Sequence, residues 1–263
     1  MQTHNRSTAT QQPHKTWVKI SHWIITASFL LLTISGFEML MVHPRFYWGE
    51  VGNDLTPAIF ELPVSRNYKH GGWNTSMAFY NKANSPVSAS RTYEIFNQNG
   101  WGRSLHFLAA WFMVITGITY LLGGFFTGHF RRNLLPGPTQ LTGTTLREEI
   151  AHHIRLDIPK GGRGPDYGLL QKSTYLVVIF FLLPLAALSG LTMSPAITAS
   201  YPFLLKIFFG AQSARTIHFL ASIALVLFLF VHVLMVIRSG FGKQIRSMTW
   251  NKKYEKELPD HEA

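Results

Sequence analysis

The sequence predicts an all-α membrane protein, a four-helix transmembrane bundle, on the basis of its apolar segments and its low charge. Charged residues make up only 14% of the 263-residue chain and hydrophobic residues make up 47%, whereas a soluble domain carries about 25% charged residues. A membrane-spanning helix needs about 20 consecutive apolar residues. Four segments are long enough, namely residues 17–42, 105–126, 175–193 and 216–237.

The first apolar segment is expected to remain as a membrane span. It is too long for the core of a signal peptide, and no small-residue cleavage site follows it. Four spans place both termini on one side of the membrane. If that side is the cytoplasm, it holds 16 of the 24 Lys and Arg residues, in agreement with the positive-inside rule. We therefore expect a bacterial inner-membrane protein with both termini in the cytoplasm, whose net charge of +11 reflects topology and lipid headgroups rather than nucleic acid.

The segments outside the spans differ in length and composition. We expect residues 1–15 to be a disordered cytoplasmic N-terminus, residues 16–240 to form the membrane domain and residues 241–263 to form a cytoplasmic tail. The connection at residues 43–104 is long and rich in Gly, Pro, Asn and aromatic residues. Loops of this length are usually functional or disordered, and the aromatic content favours an ordered periplasmic cap. The segment Tyr201–Gly210 is too short to span a bilayer and is expected at the outer interface.

The absence of cysteine excludes several kinds of redox site. Disulfides, thiolate chemistry and cysteine-ligated iron–sulfur clusters all require this residue. Covalent attachment of haem is excluded as well, because it needs a Cys-x-x-Cys-His run.

Four histidines within the apolar segments are the strongest functional signal. His218 and His232 lie 14 residues apart on the fourth segment, which on a helix separates them by about 21 Å and leaves them within about 40° of the same face. In the predicted topology, His106 lies at the depth of His218 near the periplasm, and His22 lies at the depth of His232 near the cytoplasm. A single histidine in a span is equally well explained by a hydrogen bond to a neighbouring helix.

Matching depths favour a functional role, because ionisable groups inside spans are rare and usually functional. Two pairs of imidazoles at two depths are suited to bind two metals, and we expect the irons of two haems. Ligation by two imidazoles leaves no open position on the iron, so such haems transfer electrons rather than bind oxygen.

Two glycines agree with this arrangement. Gly36 follows His22 by 14 residues, and Gly117 follows His106 by 11 residues, so each lies on nearly the same face as its histidine but about 16 to 21 Å away. Each helix then places a glycine at the depth of the other haem, where a missing side chain lets a porphyrin approach the backbone. Close packing of neighbouring helices is the alternative explanation.

Basic residues precede three of the four histidines by three positions. Arg103, Arg215 and Lys19 therefore share a helix face with His106, His218 and His22. We expect the two arginines to bind the propionates of the periplasmic haem, and Lys19, together with Arg238, to bind those of the cytoplasmic haem. Snorkelling of these long side chains to the membrane interface explains the pattern equally well.

This combination of spans and histidines resembles the b561-like di-haem cytochrome b membrane subunits. These include the cytochrome b of nickel–iron hydrogenases, the gamma subunit of formate dehydrogenases and the thiosulfate reductase cytochrome b. The resemblance covers residues 15–40 and 100–240. Hydrogenase-type subunits often carry an extra span that is absent from this sequence. The long aromatic connection is more similar to the cytochrome b subunits that pair with periplasmic molybdopterin oxidoreductases.

The resemblance implies a ligand set and partners. His22 and His232 would bind one haem b, and His106 and His218 would bind the other. A quinone site would lie near the cytoplasmic haem, and a periplasmic catalytic partner, a molybdopterin oxidoreductase or a hydrogenase, would dock near the periplasmic haem.

Two further groups of polar residues have weaker patterns. His129, with Arg131 and Arg132, follows the second span and is placed to contact quinone carbonyl oxygens, although a cluster that binds lipid headgroups is favoured. His152 and His153 are adjacent, so on a helix their side chains diverge by about 100°, and we expect a solvated face rather than a metal site.

The leading function is transmembrane electron transfer through two b-type haems, between the quinone pool and a periplasmic redox partner, with no substrate chemistry beyond quinone. One alternative is a stand-alone transmembrane reductase that acts on a small molecule or a metal ion. Another is a transporter or proton channel whose histidines line a pathway. Transporters usually show repeats and broken helices; this sequence shows no repeat, although Pro184 interrupts the third span.

Overall fold

The computed structural model describes residues 15–52, 56–64, 99–136, 147 and 169–249. Within these ranges, four helices are long and apolar enough to cross a membrane, so the predicted all-α membrane protein is confirmed. Large apolar side chains on these helices are exposed; Phe126, for example, is 87% exposed and Phe230 68%. A bilayer is the solvent that covers such a surface. The four helices are α1 (Thr16–Val42), α2 (Asn99–Phe126), α3 (Leu169–Thr192) and α6 (Ala211–Arg238).

Three of the long helices begin earlier than the apolar segments that predict them. α2 begins at Asn99 rather than at residue 105, and α6 begins at Ala211 rather than at residue 216. α3 likewise begins at Leu169, ahead of residue 175. The additional turns contain polar residues, because helical hydrogen bonds continue beyond the hydrocarbon core, whereas an apolar run measures only that core.

The proline of the third span widens the helix without ending it. Residues Val178–Leu182 of α3 are π-helical, directly before Pro184. Proline lacks a backbone N–H and clashes with the carbonyl four residues earlier, and a wider turn relieves both problems. A second π-helical segment, Phe130–Leu134, follows α2. The rings of Phe130 and Phe180 meet edge to face, with centroids 5.2 Å apart.

Short helices follow the third and fourth spans. α4 (Pro195–Ser200) and α5 (Phe203–Ile207) are too short to cross a membrane. α5 lies within Tyr201–Gly210, and the expected position of that segment at the outer interface stays a prediction. α7 (Phe241–Met248) lies in the segment expected to be a tail, and its helix was not predicted. The turn into α7 requires a glycine, because Gly240 has a φ of 103°.

The described part of the long connection is ordered and packs against the start of α6. Strand β1 (Arg45–Phe46) pairs in antiparallel fashion with strand β2 (Phe60–Glu61). The hydroxyl of Thr216 donates a hydrogen bond to the carbonyl of Tyr47 at 2.7 Å, and the Gly49 N–H donates to the Ser213 hydroxyl at 2.6 Å. The remainder of the expected cap lies outside the described residues.

The described residues fall into two compact units, and each is described by itself below. The first, called the His22 unit, lies within Met1–Trp23, Ile118–Phe180 and Leu227–Ala263; the second, called the His106 unit, lies within Ile24–Gly117 and Phe181–Val226. His232 therefore belongs to the same unit as His22, and His218 belongs to the same unit as His106. Each unit thus contains one of the two histidine pairs that the sequence predicts.

Candidate functional site

The imidazoles of His106 and His218 lie close together in the His106 unit. Their ring centroids lie 6.1 Å apart, and their planes are inclined by 66°. Half of this separation is about 3 Å, which accommodates a metal–nitrogen bond of about 2 Å plus the distance from that nitrogen to the ring centre. The spacing therefore fits two imidazoles that bind one iron from opposite sides.

The hydrogen bond of His218 leaves its other ring nitrogen available to a metal. Nδ1 of His218 lies 2.8 Å from the carbonyl oxygen of Ala186 on α3. A carbonyl oxygen only accepts hydrogen bonds, so Nδ1 carries the proton and Nε2 carries the lone pair. Histidines that bind metals usually donate their other N–H to a carbonyl or carboxylate in this way.

The two glycines singled out from the sequence have different surroundings, and contact of either with a porphyrin stays a prediction. A Cβ added at Gly36 would lie 3.6 Å from Cε1 of His106, which is an ordinary van der Waals contact with a proposed ligand. A Cβ added at Gly117 would meet no atom of the described residues within 4 Å. Packing by a neighbouring helix, the alternative explanation, therefore finds no support at Gly117.

Arg215 is engaged with the first connection rather than directed only at a haem. Its Nη2 donates hydrogen bonds to the carbonyls of His43, at 2.8 Å, and of Arg45. Its guanidinium also lies over the ring of Phe46, 5.3 Å from the centroid. These contacts join the start of α6 to β1, and a role for Arg215 in binding a propionate stays a prediction.

The other predicted propionate ligands have different surroundings. Arg103 is exposed, and its guanidinium lies 5.5 Å from the centroid of the Phe107 ring. Lys19 is buried, and its Nζ lies 3.5 Å from the carbonyl of Thr249. Arg238 is exposed at the end of α6. Contacts of these three side chains with a haem stay predictions.

Aromatic rings surround the histidines of the His22 unit. His22 meets Trp23 edge to face, with centroids 5.4 Å apart. His232 stacks on Phe228 at 5.6 Å and meets the edge of Tyr175 at 6.3 Å. The pairing of His22 with His232 stays a prediction. Phe228 and Tyr175 were not predicted from the sequence. The four-residue spacing of Phe228 and His232 on one helix was a signal that their side chains are neighbours.

His129 also lies in an aromatic group of the His22 unit. Its ring is 5.4 Å from that of Trp17 and 6.3 Å from that of Tyr120. Arg131 and Arg132 are both exposed, and a contact of the three residues with quinone stays a prediction. The other predicted histidine group, His152 and His153, lies outside the described residues.

One buried carboxylate was not anticipated from the sequence. Glu38 is fully buried within the His106 unit, and a Cβ at Gly102 would overlap with its side chain. Glycine at position 102, four residues before His106, is therefore needed to admit this carboxylate. The signal was available, because Glu38 is the single acidic residue of the first apolar segment and such residues are rare in spans.

The pair of imidazoles can be tested against the needs of a porphyrin. Among the residues that the structure describes, no group of three or more His, Cys, Asp or Glu side chains is placed to hold a metal ion. A porphyrin supplies its own nitrogens to the iron and asks the protein only for axial ligands. Two neighbouring imidazoles meet that requirement.

Comparisons with known proteins agree with this chemistry. The sequence pattern of the family described as prokaryotic cytochrome b561 matches residues 14–251. One relative is a protein of Azospira oryzae described as a candidate protein-methionine-sulfoxide reductase subunit, YedZ1. It is 26% identical over 227 residues, which cover 85% of this chain and 89% of the relative. No solved structure matches the chain.

Proposed function

The chain belongs to the prokaryotic cytochrome b561 family, and from this premise we propose that it carries electrons through two b haems between membrane quinone and a periplasmic redox enzyme. Membrane electron transfer and haem b follow from the family itself. The number of haems, the use of quinone and the nature of the partner are the proposal. The observation that carries it is the proximity of His106 and His218, with centroids 6.1 Å apart.

The proposed ligands are distributed over both units. His106 and His218 would hold one iron through their Nε2 atoms, and His22 and His232 would hold the other. A bound haem supplies reversible one-electron redox chemistry. The protein orients the four imidazoles, and the apolar spans exclude water from them.

We propose that quinone reacts near His129, at the predicted cytoplasmic end of α2. Quinone needs a hydrogen-bond donor for a carbonyl oxygen and a flat apolar surface for its ring. The imidazole of His129 supplies a donor, and the neighbouring rings of Trp17 and Tyr120 supply such surfaces. Binding of lipid headgroups remains the alternative for this region, because Arg131 and Arg132 are both exposed.

The Azospira oryzae relative suggests which class of enzyme this chain pairs with. Its name assigns it to a protein-methionine-sulfoxide reductase, so we propose that this chain likewise delivers electrons to a periplasmic oxidoreductase that repairs methionine sulfoxide, of the molybdopterin rather than the hydrogenase type. Reduction of one sulfoxide to a thioether consumes two electrons and two protons and releases water. Oxidation of one quinol supplies both electrons.

A visible spectrum of the purified protein tests the proposal. We expect a reduced b-type α band and two haems per chain by pyridine haemochrome assay. Replacing His218 with Leu removes one haem and leaves the other, and quinol reduces the remaining haem in proteoliposomes. A protein without a b-type band would contradict the haem assignment and leave the transporter alternative. Turnover of ferric ions or another small acceptor by the purified chain alone would favour the stand-alone reductase.

A further inference from the structure

The same dipeptide occurs in two different spans of the His106 unit, and each copy lies against one of the two neighbouring histidines. Ser35-Gly36 is in α1, beside His106, and Ser189-Gly190 is in α3, beside His218. Both serines are completely buried. The sequence pattern predicts a role for Gly36 but none for either serine. It predicts no function for the third span.

The hydroxyl of Ser35 accepts a hydrogen bond from His106. Its Oγ lies 2.7 Å from the carbonyl oxygen of Leu31 and 3.0 Å from Nδ1 of His106. A hydroxyl has one proton, and the carbonyl can only accept, so that proton points at Leu31. Towards His106 the oxygen must therefore act as acceptor. Nδ1 of His106 carries the proton of the ring, and Nε2 keeps a lone pair for a metal.

The hydroxyl of Ser189 is arranged in the same way towards His218. Its Oγ lies 2.6 Å from the carbonyl oxygen of Leu185 and 3.3 Å from Nδ1 of His218. The same Nδ1 also donates to the carbonyl of Ala186. One proton on this ring is thus shared between two oxygens of α3.

The glycine that follows each serine leaves room for the neighbouring atom of the ring. A Cβ at Gly36 would lie 3.6 Å from Cε1 of His106, and a Cβ at Gly190 would lie 3.2 Å from Cε1 of His218. The contact at Gly36 would be an ordinary van der Waals contact, whereas the contact at Gly190 would be tight and would require the ring of His218 to shift. In both copies, the serine thus engages Nδ1 while the glycine lies beside Cε1.

We propose that the two Ser-Gly dipeptides are positioning residues that fix the tautomer and orientation of the imidazoles of His106 and His218. They would thereby lower the midpoint potential of the haem that these two histidines bind. This inference rests on the proposed function. A hydrogen bond from Nδ1–H to an oxygen acceptor increases the basicity of Nε2, and a more basic ligand stabilises ferric over ferrous iron. The third span, which contributes no ligand, would act on the haem through Ala186 and Ser189.

The test compares Ser35→Ala, Ser189→Ala and the double variant with Thr33→Val and Thr192→Val. The controls remove a hydroxyl from the same two helices, because Thr33 donates to the Phe29 carbonyl at 2.9 Å and Thr192 to the Leu188 carbonyl at 2.8 Å. Alanine is the best helix former, so the serine variants are expected to fold. The measurements are haem content per chain, a redox titration of both haems and the low-spin ferric electron paramagnetic resonance (EPR) spectrum.

We expect each serine variant to raise the midpoint potential of one haem and to shift its low-spin signal, with the largest change in the double variant. Haem affinity at that site falls by about 10-fold or more, as is typical when a hydrogen-bond partner of a metal ligand is removed. The second haem and both controls stay as in the wild type. A double variant with wild-type potentials and EPR signals, in a protein that holds two haems, would overturn this inference alone. A wild-type protein without haem would overturn the proposed function instead.

Discussion

The two units surround the same kind of side chain in different ways. In the His106 unit, Nδ1 of both histidines meets oxygen atoms, a serine hydroxyl at His106 and a carbonyl and a hydroxyl at His218. In the His22 unit, the ring of His22 meets Trp23, and that of His232 meets Phe228 and Tyr175.

Hydrogen bonds and apolar burial are separate means by which a protein sets the reduction potential of a haem. Two haems with identical axial ligands can therefore respond to different substitutions. The comparison predicts that hydroxyl removal affects the haem of the His106 unit, whereas changes of aromatic residues affect the haem of the His22 unit.

The largest effect is expected from Gly117→Leu. A Cβ at this position would meet no atom of the described residues within 4 Å, so we expect these residues to leave room for the leucine. If a porphyrin passes the backbone there, the leucine excludes it, and the haem content falls from two to one per chain. From the spacing of 11 residues between His106 and Gly117 in the sequence, we expect the lost haem to be the one proposed for His22 and His232.

Ile118→Leu is the control for Gly117→Leu, because Ile118 lies next to it on the same helix and is 52% exposed. It should keep both haems. If Gly117→Leu also keeps both, no porphyrin passes close to this glycine, and helix packing in the membrane becomes the explanation for its presence.

A smaller effect is expected from Phe228→Leu in the His22 unit. The ring of Phe228 stacks on His232 with an interplanar angle of 29°, and such contacts are worth about 1 kcal/mol. Even if the whole contact favoured one oxidation state, the potential would shift by at most about 40 mV. A redox titration should show this shift in one haem only.

Combining Phe228→Leu with Ser189→Ala sharpens the comparison between the units. The two residues belong to different units and act on different histidines, so their effects on the two potentials should add independently. A shift of both haems by either single substitution would mean that the surroundings of the two sites are not separable.

The proximity of His106 and His218 was predictable because helix geometry is periodic. A rise of about 1.5 Å per residue and four apolar segments were enough to assign His106 and His218 to the same depth. The helix starts at Asn99 and Ala211 were missed, because polar turns outside the hydrocarbon layer carry no apolar signal.

The partners of the ligands were not predictable in the same way. Ser35 and Ser189 matter because α1 faces His106 and α3 faces His218, and which helix faces which is decided by packing of the whole chain. The repeated Ser-Gly dipeptide was visible in the sequence, but serine and glycine are common at helix contacts in membranes. Only the distances to Nδ1 and Cε1 distinguish the two explanations.

The smallest effect is expected from Trp23→Phe, which separates a ring contact from a hydrogen bond within the His22 unit. The indole N–H of Trp23 donates to the Met248 carbonyl at 2.8 Å and thereby joins α1 to the end of α7. Phenylalanine keeps an aromatic ring beside His22 but removes this donor, and a hydrogen bond of this kind contributes about 1 kcal/mol or less. For a chain of this size, the loss corresponds to a decrease in Tm of about 2 to 4 °C, measured by thermal unfolding in detergent, with both haems retained. Loss of a haem would instead show that the position of His22 depends on α7. The His22 unit and the His106 unit would then differ in more than the atoms that contact the histidine rings.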